Sequence, residues 1–312
     1  TLTTCASITD IPRDDWQRLA GRSNPFLRYE FFQALEDSGC TRTETGWTPC
    51  HLVFRVQGKI CGLAPAYLKN HSRGEYVFDW SWAEAYQRYQ LSYYPKLLIA
   101  IPFTPSQGPR LLLDASLRAQ LTPALLDQLL GNLTQQLGAH SWHLLFPDAQ
   151  DQALLGHDQE LHRTGCQFHW HNRGYQNFEG FLAALTSRKR KSIRKERRQV
   201  ADQEITFHTF HGRDISDQVL SAFFVFYQAT YLKRGQAPYL NQAFFELLRE
   251  HLPEHLHIIM ALRHGEMIAG ALFLAGVRAA FLWHHLGGRR WRLLFQRKQQ
   301  LEILESIKFS EL

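Results

Sequence analysis

Segments spaced for helices and segments patterned for strands follow one another along this 312-residue chain in two successive series, with a restart near Asn172. That interleaving constrains the fold most, because such elements bury their apolar faces only by packing in layers around a core. In the first series helices are expected over 14–20 and 26–38, the second opened by Asn24-Pro25 and stopped at Gly39. Strands over 51–55 and 59–67 are joined at Gln57-Gly58. A helix is expected over 94–101, a strand over 110–113, and a leucine-rich helix from Thr122-Pro123 to about Gly138. A strand over 140–146, a short helix from Pro147-Asp148 and a strand over 165–170 complete the series. The second series reads as helices over 178–185, 187–203, 219–233 and 242–251, with strands over 205–211, 255–263, 266–275 and 279–284. The expected class is α/β (α+β), with domains over 1–172 and 173–312. Hydrophobic residues make up 45 % of the chain, enough for each half to bury a core of its own.

The net charge is +6, which suits an acidic partner: a small molecule bearing phosphate, a nucleotide-linked substrate, RNA or an anionic membrane surface. Five cysteines without C-x-x-C spacing argue against a disulfide framework or a zinc ribbon and suit reduced thiols in a cytoplasmic enzyme. No leader pattern and no apolar run of about eighteen residues occurs, so membrane insertion is not expected. The pairs His169/His171, His208/His211, His140/His143 and His251/His255 lack companions at ligand spacing, so no metal is expected. Neither a P-loop, a G-x-S-x-G elbow nor a G-x-G-x-x-G turn stands in the right context.

Two stretches carry chemistry. Residues 67–112 crowd Asp79, Trp80, Trp82, Glu84, Tyr86, Tyr93, Tyr94 and Lys96 into a few turns of chain where clean periodicity fades. A carboxylate among aromatic rings is expected to have a raised pKa, because desolvation disfavours its charge, and such a group serves as general base or acid. Asp79 is the first candidate and Glu84 the second, with Trp80, Tyr86, Tyr93 and Lys96 expected to position substrate. The competing reading is an aromatic loop folded over a core, with Asp79 as a cap and Lys96 in solvent. The second stretch is the run 187–198, SRKRKSIRKERR, with eight positive residues and one acid. As a helix it places Arg190, Arg194, Arg197 and Arg198 on one flank and marks a narrow buried stripe with Ile193 and Val200. Mutual repulsion is relieved by a bound anion, and guanidinium groups suit phosphate, so Arg190, Arg194 and Arg198 are expected to hold phosphates. A solvated helix face and an RNA-binding face are the alternatives, although no aromatic residues interleave the run for base stacking.

Several segments together resemble one family: 24–32 (NPFLRYEFF), 35–39 (LEDSG), 74–80 (GEYVFDW), 94–97 (YPKL), 102–105 (PFTP), 189–198 (KRKSIRKERR), 231–235 (YLKRG) and 238–240 (PYL). They are similar to the FemAB-like predicted N-acyltransferases of bacteria, labelled for peptidoglycan biosynthesis or recognition, from about Asn24 to about Leu274. The resemblance implies tandem GNAT-like (acyl-CoA N-acyltransferase) domains and transfer of an acyl or aminoacyl group to an amine. The donor it implies is acyl-CoA or an aminoacyl-tRNA, so tRNA is an expected partner and DNA is not. The pyrophosphate loop of GNAT enzymes, Arg/Gln-x-x-Gly-x-Gly/Ala, is absent. After about residue 283 the chain departs from the family pattern, and the second domain is expected to be truncated or divergent there. The alternative function is a non-catalytic module that recognises a cell-wall precursor or RNA.

Overall fold

The computed structural model of the chain describes residues 1–155, 161–167 and 170–276, and the backbone of 280–287. Two compact units result, Thr1–Cys166 and Gln167–Leu312, each a mixture of helices and sheet. The first unit contains β1 (Leu2–Cys5), α1 (Arg13–Ala20), α2 (Tyr29–Asp37), β2 (Trp47–Pro49), β3 (His51–Val56), β4 (Lys59–Ala64) and β5 (Ala66–Lys69). It continues with α3 (Trp80–Arg88), β6 (Lys96–Ile99), β7 (Leu112–Leu113), α4 (Ala115–Gln120), α5 (Pro123–Gln136), β8 (Trp142–Leu144) and α6 (Ala149–Leu154). Its strands form two four-stranded sheets, ordered β1-β3-β4-β7 and β2-β5-β6-β8.

The strand expected over 59–67 divides at Pro65 into β4 and β5, which belong to different sheets. Proline has no N–H to give to a ladder, so the change of sheet falls where one donor is already missing. The helix expected over 94–101 is instead β6, antiparallel to β5 and parallel to β8. All four residues of β6 are buried, and a strand covered on both faces shows a continuous apolar run that periodicity cannot tell from a helix. The helix expected over 26–38 begins as a 3-10 turn at Pro25–Leu27, capped by the Asn24 side chain, and becomes α-helical only at Tyr29. The strand expected over 110–113 shrinks to β7, because Arg110 is drawn into the preceding loop. Its guanidinium donates to the carbonyls of Gly108 at 3.0 Å and Pro109 at 3.1 Å. Leu52, Phe54, Leu97, Ile99, Leu126 and Leu130 form the core between sheets and α5.

The second unit contains α7 (Phe178–Ala183), α8 (Ser187–Ala201), β9 (Ile205–His211), α9 (Asp217–Leu232), α10 (Gln242–His251), β10 (Leu256–Arg263), β11 (Glu266–Ala275) and β12 (Ala280–Gly287). Its sheet is antiparallel throughout, ordered β12-β11-β10-β9, with the tight β10–β11 connection at His264 and Gly265, both at positive φ. Phe223, Tyr227 and Phe245 pack as edge-to-face rings where α9 meets α10. The strand expected over 165–170 is not formed: residues 165–167 and 170 have no regular structure, and 168 and 169 lie outside the described residues. Of the region expected to be truncated or divergent after about residue 283, the backbone of 284–287 continues β12, and 288–312 lie outside the described residues. No described helix is long and apolar enough to cross a membrane. Among the described residues no three His, Cys, Asp or Glu side chains converge as metal ligands.

Candidate active site

The antiparallel register of β5 and β6 sets Lys69 opposite Lys96, so two long cationic side chains share one face of a buried sheet. Both are fully buried. Two like charges in such a place need counter-charges, and the segment leaving β5 supplies them. It coils back through Gly74 (φ +82°), Tyr76 (φ 61°) and Phe78 (φ 52°), conformations that shorten the path and bring Glu75 and Asp79 to one point. A Cβ on Gly74 would lie 2.7 Å from the Phe103 ring, so the coil needs glycine there for space as well as for φ.

Lys96 Nζ spends its three protons inside this cluster. It donates to Asp79 Oδ2 at 2.6 Å, Glu75 Oε2 at 2.8 Å and Ser72 Oγ at 2.9 Å. The Tyr93 hydroxyl donates to the same Asp79 oxygen at 2.7 Å, and Ser72 Oγ shares a 2.7 Å hydrogen bond with the hydroxyl of half-buried Tyr94. A continuous path of polar atoms therefore runs from Tyr94 through Ser72 and Lys96 to Glu75. Lys69 Nζ sits 3.8 Å over the Trp47 ring. One oxygen of each acid, Glu75 Oε1 and Asp79 Oδ1, is buried without a hydrogen-bond partner.

These contacts separate two chemically similar acids. Burial pushes the Glu75 carboxyl up to about 7, against the pull of Lys96. Burial acts on Asp79 in the same direction, but hydrogen bonds from Lys96, Ser72 and Tyr93 and the Lys96 charge outweigh it and bring the group down to about 2. Burial lowers Lys69 to about 7 and His143 to about 4, and it raises Tyr93 well above the usual phenol range. A low-dielectric site with one fully committed ammonium stabilises one carboxylate well and the second poorly. Asp79 is the ionised member and Glu75 the member that exchanges a proton near neutrality.

The expected raised pKa of Asp79 is thus reversed: the rings around it bring a phenol donor and a lysine, not an apolar shell. Glu84 is also misplaced by the sequence argument. It lies exposed on α3, and among the described residues its only ion-pair partner is Arg88, one turn on, at 4.0 Å. Within the aromatic stretch Trp80–Arg88 is helical where a loop was the competing reading, and Trp80 at the start of that helix is 43 % exposed. Tyr86 is half-buried and packs edge-to-face on Tyr93 at 5.1 Å. Lys96 is neither solvated nor presented to solvent for substrate; it is the hub. Glu75, Ser72 and Lys69 were not singled out, although Glu75 lies within the segment 74–80 that carries the family resemblance.

A second group lies in the other unit. Thr186 caps α8, whose first turn holds Arg188 and Lys189 and no acid. Arg194, Arg197 and Arg198, with Asn177, Phe178, Glu179 and Leu182 from the α7 region, line a pocket of about 560 Å³. The Arg197 guanidinium stacks 4.3 Å from the Phe178 ring, and Arg194 Nη2 meets Glu179 Oε2 at 2.6 Å. Arg190 does not line this pocket; it turns to the Ala183 carbonyl at 3.2 Å. Val200 is buried as expected, whereas Ile193 is only half-buried.

Of the two mixed α/β units, one holds a buried acid–lysine cluster and the other an arginine-lined pocket. The chain belongs to the FemAB-like family, described as peptidoglycan biosynthesis/recognition, which matches residues 7–299. Among solved structures it is similar to FemX, with 12 % identity over 95 % of this chain and 84 % of that one and a TM-score of 0.49. It is also similar to the C-terminal domain of a putative lysylphosphatidylglycerol synthetase from Agrobacterium fabrum, with 8 % identity over 94 % and 74 % of the chains and a TM-score of 0.47. A short segment is 71 % identical over 42 residues to a high frequency lysogenization protein HflD homolog of Alcanivorax borkumensis, 14 % of this chain and 20 % of that protein. This chain therefore spans about a fifth of the length of that curated relative.

Proposed function

We propose that this chain is an N-acyltransferase of tandem GNAT-like architecture that moves an acyl or aminoacyl group onto an amine of a peptidoglycan precursor. The observation that carries the reading is the buried Asp79–Lys96–Glu75 cluster, in which two acids of one site have been driven to opposite protonation behaviour. In the transfer, the amine nitrogen attacks the donor carbonyl carbon, a C–N bond forms, the C–S or C–O bond to the carrier breaks, and the amine loses a proton. Glu75 is the acceptor matched to that proton: Lys96 passes one of its protons to Glu75 and is reprotonated from Ser72, which takes up the proton arriving by way of Tyr94. Asp79, permanently ionised, holds Lys96 and Tyr93 in place and is a positioning residue. Arg194 and Arg198 hold phosphate groups of donor or acceptor, the donor being acyl-CoA or an aminoacyl-tRNA.

The test supplies the protein with acetyl-CoA or charged tRNA and a UDP-linked peptidoglycan precursor, and follows the precursor by mass. An added acyl or aminoacyl increment is expected, at a rate that rises as the pH passes about 7. Glu75→Gln should lower the rate roughly 100-fold, in the range for loss of a general base, and flatten that pH profile. A precursor that binds and gains no mass with either donor would replace this reading with the recognition module, for which the sealed Asp79–Lys96 pair serves as a structural tie.

A further inference from the structure

The pocket beside α8 already contains an anion of its own. Glu179 presents its carboxylate to Arg194 at 2.6 Å, and both side chains are largely exposed, 68 % and 53 %. Ion pairs this exposed hold little free energy, so the contact is easily exchanged. Around it the pocket is unevenly charged: Arg194, Arg197 and Arg198 face one acid, over a floor of buried Phe178 and Leu182. Among the described residues the Arg198 side chain makes no hydrogen bond or ion pair. We infer that the Glu179–Arg194 pair is a displaceable latch over the arginine pocket, opened by a ligand group carrying more than one negative charge, such as pyrophosphate or a phosphate monoester, in preference to a singly charged group.

The reasoning is one of exchange. A singly charged guest at Arg194 replaces one carboxylate with another anion of equal charge, and the tethered Glu179 competes at high effective concentration. A guest with a second charge also meets Arg198 and the edge of Arg197 at the same time, contacts that Glu179 alone does not satisfy. The latch thus distinguishes a terminal phosphate or pyrophosphate from the singly charged phosphodiester links of RNA. This inference rests on the reading of α8 as a phosphate-holding wall.

Calorimetric titration of the full chain without any acyl donor tests it apart from catalysis, so failed transfer and a failed latch are separate results. Inorganic pyrophosphate should bind, and dimethyl phosphate should not. Glu179→Gln should tighten pyrophosphate about 2- to 5-fold, the size of an exposed ion pair. Arg198→Gln should weaken pyrophosphate binding severalfold with an unchanged circular dichroism spectrum. The latch is overturned by absence of pyrophosphate binding, or by Glu179→Gln leaving pyrophosphate affinity unchanged. A short RNA that binds the pocket and is not displaced by pyrophosphate would also overturn it.

Discussion

At the scale of single residues, the chemistry of this protein follows from the arithmetic of one ammonium and two carboxylates. Lys96 has three protons to give, and they go to Asp79, Glu75 and Ser72. Tyr93 adds a fourth donor, and it goes to Asp79 alone. That phenol, together with the Ser72 hydroxyl, favours ionisation of Asp79 over Glu75. The sign of the resulting pH dependence can be worked out. Glu75 binds its proton more tightly when folded, at about 7 against an ordinary 4.5, so ionising it costs stability. Stability associated with Glu75 is therefore full below about 4.5 and is lost as pH rises through about 7. Glutamine in its place cannot ionise. Chemical denaturation of the wild type and Glu75→Gln between pH 4.5 and 7.5 should show their difference shift in favour of the variant by on the order of 3 kcal/mol across that window. A difference independent of pH would mean that folding leaves the Glu75 pKa unchanged. The aromatic crowding around Asp79 was legible in the sequence; the direction of its effect was not, because composition reports which rings are near and not whether a hydroxyl points at the carboxylate.

At the scale of elements, α8 is built against its own electrostatics. The N-terminus of a helix favours negative charge, yet the first turn of α8 holds Arg188 and Lys189, and the residue that a capping box would fill with glutamate is Lys189. Thr186 already accepts from the Lys189 backbone N–H, so half of that box is in place. Lys189→Glu should complete it and stabilise the helix by about 0.5–1 kcal/mol, visible as a higher melting temperature. A lower melting temperature would show that Lys189 has a favourable partner in the native fold. Helix α8 was readable in advance because charge pattern and apolar stripe are local. Strand β6 was not: its buried run Leu97-Leu98-Ile99 is silent about period, and only the neighbours β5 and β8 make it a central strand. Pro65, by contrast, carried a local reason to end one strand and begin another.

At the scale of the whole molecule, two units of similar content are joined through exposed residues without regular structure. Residues 161–167 are all exposed, and Leu161 is 81 % so. Exposed irregular chain is where proteases cut first. Limited trypsin treatment should cleave at Arg163 and release a first unit that keeps its secondary structure and unfolds cooperatively, since its core of leucines and Phe54 is its own. Loss of structure on cleavage, followed by circular dichroism, would show that the first unit depends on the second.

The sequence by itself determined what is local: the alternation of helix and strand, the capped and glycine-stopped ends, the basic helix, the restart between two halves, and the segments that place the chain in its family. Tertiary structure alone decided which charges meet. Lys69 and Lys96 are 27 positions apart and become neighbours only through strand register, and Glu75 joins them only because the backbone coils through three positive-φ residues after β5. Protonation depends on distances of a few ångströms in a medium from which water is excluded, and such distances are set by packing across the sheet, not by spacing along the chain.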